Sequence, residues 1–533
     1  MRKTTMKKAL ALVLALVLCL GVLAGCNADP KETTQSTTKA TEGTTAATEG
    51  TTAATEPTKY EFPAGAVLDV YAGHSDKMPG TALEGFIEKT LGIDIDWKLA
   101  PEGGLDVLMT EKVTPSLYWG YFGSGTHTAG HDGVLVNLWD HQDKLPDFFA
   151  RFNAEENAAY KEYYMTSETE LYAAPVYLNG DVQRFGWLVR EDIMKELNLE
   201  APTDWDSFVA VLKAMKAAYP NSYPFVMRNM TGNLAGLNEL AQQFGVDYKA
   251  NAPAMNYDDN TFYDTYITNE MREMLKKLNW LIDEGLMDKA CMTYATAEWL
   301  NAFTSGTSFI THDKAFQLTS IENAGVEANP NFSLTWWNNF PMVESDLPYA
   351  TRDNAVQSYC WEVTTKCADL DLALAYLNWL YSDEGSQIMS WGIEGESFEV
   401  DANGNKKFIE GFDKTYMARY QESGYIDFTA TMAAYSPKCQ EMILDTMAAA
   451  KEGAFFAPPT VTFTDDEQMI LDTYKQGWTD SKNAYLQKFI LGDLDVNDDA
   501  VWAQFIKESH DGFGVDQIIE CYNNAMARKL AEG

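Results

Sequence analysis

Apolar positions first run unbroken from Ala9 to Ala24, then disappear, and beyond residue 60 return in periodic patterns. Residues 67–71 and 93–97 alternate apolar and polar positions, which predicts two strands. Residues 82–90 between them carry a helical spacing, so the body should open with a βαβ unit on a parallel pairing. Trp205, Phe208, Leu212, Met215 and Tyr219 then recur at helical steps, forming one apolar stripe that Pro220 stops. Thr203 and Asp206 at its start fit a capping box. Met271, Leu275, Leu278 and Ile282 make a second amphipathic helix closed by Gly285, and a third is expected over residues 371–381. The pattern predicts an α/β body with many added helices.

The unbroken apolar run follows Arg2, Lys3, Lys7 and Lys8 and is 16 residues long. A bilayer span needs roughly 20, so the run suits the apolar region of an export signal. Its end, Leu23-Ala24-Gly25-Cys26, resembles a bacterial lipobox. The resemblance implies cleavage before Cys26 and a thioether-linked diacylglycerol on its sulfur. Residues 31–58 contain 12 Thr and no large apolar side chain, and residues 40–46 and 47–53 repeat the same seven-residue unit. Such a segment cannot bury enough surface to offset the entropy of ordering it, so it is expected to be an extended spacer. Residues 1–25 are therefore expected as a lipoprotein signal peptide and 26–59 as a lipidated cysteine with its linker. The folded body should run from 60 to 533, with no other stretch apolar enough to cross a membrane.

Charge narrows the functional classes. The net charge is −38, and removing residues 1–25, which hold four basic and no acidic side chains, takes it to −42. Such a field repels phosphate backbones, and the chain has no Lys/Arg cluster of the kind that binds nucleic acid. A nucleic-acid partner is excluded. Beyond Cys19 and Cys26, the cysteines are Cys291, Cys360, Cys367, Cys439 and Cys521. Their odd number and wide spacing do not form a disulfide framework, although one bridge is left open. No Gly-Lys pair is present, so a phosphate-binding P-loop is absent and any ATPase must be another chain. Neither HExxH nor GxSxG occurs. His127, His131 and His141 could hold a metal if helical, but Gly125, Gly130 and Gly133 around them suggest a loop. Residues 401–405 and 493–497 lack the glycine and the terminal acid of a calcium loop, so turns explain them better. No metal or other cofactor is expected.

The order of segments across residues 60–533 resembles a known family, the extracellular solute-binding proteins of the family 1 type. These are lipid-anchored receptors of carbohydrate-uptake ABC transporters in Gram-positive bacteria. The resemblance is carried by Glu170-Leu-Tyr-Ala-Ala-Pro175 followed by Trp187-Leu-Val-Arg-Glu-Asp192, and by the helix opening that ends Pro202-Thr203-Asp204-Trp205-Asp206. Phe303-Thr-Ser-Gly-Thr-Ser-Phe-Ile310, Leu377-Asn-Trp-Leu-Tyr-Ser-Asp-Glu-Gly385 and Phe489-Ile-Leu-Gly492 add to it. It implies an α/β, two-lobed periplasmic-binding-protein-like fold of type II, with a hinge and a ligand cleft between the lobes. The first lobe is expected over 60–180 plus about 338–388. The second is expected over 181–337 plus about 389–533. The implied partners are an oligosaccharide ligand, ABC permease subunits with a separate ATPase, and the outer leaflet of the cytoplasmic membrane; a monomer is expected. A peptide or other polar-solute receptor, and a secreted glycoside hydrolase or lyase, are the alternatives.

A sugar presents apolar C–H faces to aromatic planes and needs directional polar partners for its hydroxyls. The chain has 14 Trp, 27 Tyr and 26 Phe, most of which belong in cores. Trp205 and Trp379, inside helices, are expected to be structural. Trp119 ends an apolar strand just before a Gly/Thr/His stretch, where the resemblance places a stacking aromatic, although the family's Pro-Asp is here Pro115-Ser116. Trp336 and Trp337, Trp361 with Glu362, and Trp391 with Glu394 are further ligand-binding candidates. His74 and Asp313 are added because they fall in strand-end loops. Arg190 is expected to form a structural ion pair.

Overall fold

The computed structural model describes residues 60–73, 78–101, 103–110, 112–165, 167–180, 184–249, 251–344, 358–414, 417, 423–451 and 461–532. The export signal, Cys26, the Thr-rich segment and His74 lie outside the described residues. Among the described residues, no helix is long and apolar enough to cross a membrane.

The body opens as expected with β1 (Val67–Ala72), α1 (Ala82–Leu91) and β2 (Asp94–Leu99), followed by β3 (Leu117–Tyr121), α2 (Ser124–His131) and β4 (Ala174–Pro175). The chain then crosses to β5 (Phe185–Arg190), α3 (Trp205–Ala218), α4 (Asn269–Asp283), β6 (Ile310–Lys314) and β7 (Leu334–Trp337). It returns as β8 (Tyr359–Val363) and α5 (Leu370–Tyr381), and leaves again through α6 (Phe428–Ala433). It ends in α7 (Pro437–Lys451), α8 (Asp465–Leu491), α9 (Asp499–Phe513) and α10 (Val515–Glu532).

Two sheets organise two lobes. The first has strand order β2-β1-β3-β8-β4, with β1 parallel to both β2 and β3 and β8 antiparallel to β3. The second has order β6-β5-β7, antiparallel throughout. Phe225 extends it by a parallel bridge to Ile310. Each sheet has its own core, built around Leu68, Val70, Trp119 and Trp361 in the first lobe and around Trp187, Leu188, Phe225 and Trp299 in the second. Full burial of each large apolar side chain stabilises the fold by roughly 1.5–3 kcal/mol.

The first core extends past residue 388, where the sequence reading had placed its end. Trp391, Phe398, Phe408 and Ala430 pack in it. Phe398 and Phe408 face each other across a short hairpin, and their rings lie 5.8 and 4.7 Å from Trp391, so this hairpin buries its apolar face against the first lobe. A second correction concerns α3. Its N-cap is Asp204, which accepts from Ser207 N at 2.8 Å, rather than Thr203. Asp204 has the extended backbone that an N-cap requires.

Extended segments join the lobes. Tyr177 N donates to Gly424 O and Ile426 N donates to Tyr177 O, both at 2.8 Å. Asn179 Nδ2 donates to Ile426 O at 2.6 Å. Helix α6 follows at once and straddles both cores: Ala430 packs in the first and Met432 in the second. A Cβ at Gly180 would sit 2.4 Å from the Phe428 ring, so only glycine admits that close approach. This bridge between Tyr177 and Tyr425 ties the two connecting segments together where they pass between the cores.

The five cysteines of the body are unpaired thiols, four of them buried. Burial pushes the Cys291 thiol up to about 12, which keeps it inert. Asp401 accepts from Asn403 N and Asn405 N, and Asp495 from Asn497 N, so both calcium-like stretches are turns.

Candidate functional site

Ligands of α/β proteins collect at the carboxyl ends of sheet strands. In the first lobe that edge ends at Tyr121, opposite Tyr359 at the start of β8. Trp119 and Tyr121 point to the same strand face but meet different fates. Trp119 is fully buried and stacks on Tyr359 at 5.7 Å with an interplanar angle of 5°. Tyr121, one alternation further on, lies 4.9 Å from Tyr359 and is 54% exposed. The exposed ring at this strand end is therefore Tyr121, which the sequence reading missed. Its signal was the alternation Trp119-Gly120-Tyr121, which carries the aromatic face one step beyond the buried tryptophan. In place of the family's Pro-Asp, the Ser116 backbone N and hydroxyl both donate to Asp69 Oδ1, at 3.2 and 2.5 Å.

The other expected ligand residues are mostly structural. Trp361 is fully buried and donates to Ser423 O at 3.1 Å. Glu362 is 2% exposed beside it. Trp391 is buried and donates to Asp427 Oδ2 at 2.7 Å, while Glu394 is exposed in the adjoining turn. Trp337 is buried in the second core. Half-buried Trp336 donates to Asp445 Oδ2 at 3.0 Å. Asp313 is a buried ion-pair partner: Arg228 Nε and Nη2 donate to its two oxygens at 2.5 and 2.7 Å. The same holds for Arg190, which forks onto Asp192 at 2.8 and 2.6 Å. Large rings near strand ends were expected to face a cleft, but most are consumed in filling the space between sheet and helices. The structure therefore does not gather these candidates into one site.

A cavity of about 930 Å³ lies instead along one face of α8, closed on its other side by Gly232, Asn233 and Asn251. Gly232 and Asn233 belong to the loop that follows the parallel-bridged segment at Phe225. From α8 come Gln468, Asp472, Gln476, Asp480, Asn483 and Gln487, which repeat at helical spacing and form one polar stripe. Thr464 and Glu467 cap the start of α8 reciprocally, and Arg528 Nη1 donates to Glu467 Oε1 at 2.8 Å, so α10 holds the helix in place. The Oδ1 of Asn483 is buried with no hydrogen-bond partner, which is uncommon for a buried polar atom. Below the stripe, Lys482 is buried with its ammonium 3.7 Å from the Tyr266 ring centroid and 5.1 Å from that of Trp478. Burial lowers its pKa to about 7, against the opposing pull of Asp264.

A smaller pocket of about 80 Å³ adjoins the trough, and Gln468 lines both. Its walls come from both lobes: His127, Thr128 and His131 of α2, and residues 461–463 that lead into α8. The stretch around His127 and His131 is helical, contrary to the loop expected. Gly123 N donates to Thr126 Oγ1 at the helix start, Gly125 and Gly130 are carried within a short two-turn element, and Gly133 lies in the turn that follows it. Helicity puts both histidines on one face, but among the described residues no group of three metal-ligating side chains gathers.

Residues 107–394 match the family model described as bacterial extracellular solute-binding protein. The chain is 22% identical over 346 residues to lipoprotein LipO of Bacillus subtilis strain 168, an alignment that spans 61% of this chain and 66% of that one, slightly under two thirds of the relative's length. Its fold is similar to that of the alginate-binding protein AlgQ2, with a TM-score of 0.71 at 18% identity over 89% of this chain and all of the other. It is also similar to the Streptococcus pneumoniae ABC-transporter substrate-binding protein FusA in complex with kestose, with a TM-score of 0.66 at 16% identity over 88% of this chain and all of the other.

Proposed function

This chain belongs to the bacterial extracellular solute-binding proteins, and on that premise we propose that it captures an extracellular, uncharged oligosaccharide and hands it intact to an ABC permease driven by a separate ATPase. The trough carries the reading. At about 930 Å³ it sits near the upper end of the roughly 300–1,000 Å³ typical of small-ligand sites. Its walls are mostly amides, hydroxyls and carboxylates at helical spacing, with Lys475, Leu471 and Ala484 among them, rather than an apolar slot or a cationic cradle. Amide side chains both donate and accept, which matches hydroxyls that do the same. Asn483 Oδ1 supplies a buried acceptor ready for a hydroxyl donor. Tyr121 offers a plane for the C–H face of a sugar at the edge of the first lobe. A ligand touching both lobes binds the closed form more tightly and so shifts the population toward closure. Tethering through Cys26, with residues 26–59 as spacer, would hold the body outside the cytoplasmic membrane, where it works as a monomer.

The test is a thermal-shift and fluorescence screen of the body, residues 60–533, against neutral oligosaccharides, acidic oligosaccharides and peptides. Neutral sugars are expected to stabilise it without being cleaved. Tyr121→Ala should weaken the best binder about tenfold, equivalent to about 1.4 kcal/mol, while leaving the unliganded melting temperature unchanged. Stabilisation by peptides alone, or cleavage of a sugar, would replace this reading with one of the alternatives.

A further inference from the structure

We propose that the small pocket beside His127 is an end subsite that receives an uncharged hydroxyl-bearing terminus of the glycan, a hydroxymethyl or ring hydroxyl. This rests on the reading of the adjoining trough as the glycan site. Four observations carry it. The His127 residue is 4% exposed, and neither ring nitrogen has a hydrogen-bond partner. Buried polar groups in native proteins are almost always partnered, so a bare imidazole beside a cavity marks a place where a ligand completes the bonding. The ring packs edge-on against Phe122, with centroids 4.9 Å apart at 72°, while the residue forms part of the pocket wall. The pocket is small, about 80 Å³ beside the roughly 930 Å³ of the trough, which suits one end of a glycan rather than its body. Finally, Gln468 lines both this pocket and the trough, so a chain lying in the larger space ends at the smaller.

The electrostatics choose among end groups. Burial lowers the His127 pKa to about 4, and the neighbouring charges of His131 and Lys529 push it the same way. At neutral pH the ring is uncharged and offers one N–H donor and one lone-pair acceptor. A hydroxyl serves either one. A carboxylate can only accept, and an ammonium can only donate while facing Lys529. The hydroxyls of Thr128 and Thr462 and the amide of Gln468 share the wall with His131, Val461, Phe463 and Asp132, whose carboxylate further disfavours an anionic end group.

The test uses residues 60–533 with maltotetraose, cellotetraose, mannotetraose, xylotetraose and 1-kestose as probes, by titration calorimetry. For whichever probe wild type binds, His127→Phe is expected to lose at least tenfold in affinity with an unchanged melting temperature. His127→Gln, which keeps a donor and an acceptor, should stay within about threefold. The same probe oxidised to a uronate at its terminal hydroxymethyl should bind more weakly than the parent. In 15N-histidine spectra of wild type, saturating sugar should shift the His127 ring nitrogens, a readout that stands even if the Phe variant does not fold. Unaltered binding by His127→Phe, unshifted ring nitrogens, or tighter binding of the uronate would overturn the subsite while leaving the glycan trough standing. Failure of wild type to bind any of the five would instead overturn the trough reading, and the subsite with it.

Discussion

Asp313→Ala is expected to cost the folded protein about 3–5 kcal/mol, measured as a fall in chemical-denaturation midpoint. The Asp313 side chain is 3% exposed and its partner Arg228 is 11% exposed. The guanidinium is gripped through two bonds and lies 4.7 Å from the Trp299 ring centroid. Its remaining partner is Thr296 Oγ1 at 3.4 Å. Removing the carboxylate leaves a buried cation without its counter-charge, and that desolvation penalty, rather than the net worth of the pair, sets the size of the loss. The double replacement Arg228→Met with Asp313→Leu should recover most of the stability, because an apolar pair of similar volume carries no desolvation penalty. A loss below about 1 kcal/mol for Asp313→Ala would show that water reaches the pair and that the second core is looser than its burial implies.

Acid should destabilise the protein in a window above the usual carboxylate range. His127 and His312 are both buried, and burial is the leading cause that holds each near 4, against 6.5 in an unfolded chain. For a base whose folded pKa is lowered, the unfolded state binds more protons between the two values. Stability is therefore complete above about 6.5 and falls as pH drops toward 4. His312 is fixed in this state by its setting: Nε2 lies 3.0 Å from Asn339 Oδ1, the ring rests against Trp187, and Nδ1 has no partner. Together the two histidines should remove about 3–4 kcal/mol between pH 7 and pH 5. Carboxylates held low by partners, such as Glu467 beside Arg528 and Asp427 beside Thr429 and Trp391, lose their contribution only at lower pH. Denaturation midpoints at pH 7, 6 and 5 should fall steadily in wild type and about half as steeply in His127→Phe. A flat profile would contradict the burial of both rings.

Periodicity made the skeleton legible. The alternation of residues 67–71 and 93–97 became β1 and β2 in parallel, and the stripe from Trp205 to Met215 became a buried helix face. Aromatic residue type did not make the site legible. Trp119, Trp361 and Trp391 are large enough that the interior claims them first, and a single sequence does not say which ring a sheet covers. Asp313 and Arg190 carried the same ambiguity, since an ion pair and a ligand contact use the same side chains. The stronger signal was overlooked: Gln468, Asp472, Gln476, Asp480, Asn483 and Gln487 mark one polar face on a 27-residue helix. A solvated helix face looks the same in sequence. Only the approach of Asn233 and Asn251 turns that face into a trough, and that approach depends on contacts between residues more than 200 positions apart.

Lobe closure around an unmodified sugar is best tested by small-angle X-ray scattering of residues 60–533 with and without the best-binding neutral oligosaccharide, followed by mass spectrometry of the recovered sugar. The account predicts a smaller radius of gyration in the complex and a sugar of unchanged mass. Scattering that does not change at saturation, or a sugar returned in pieces, would contradict it.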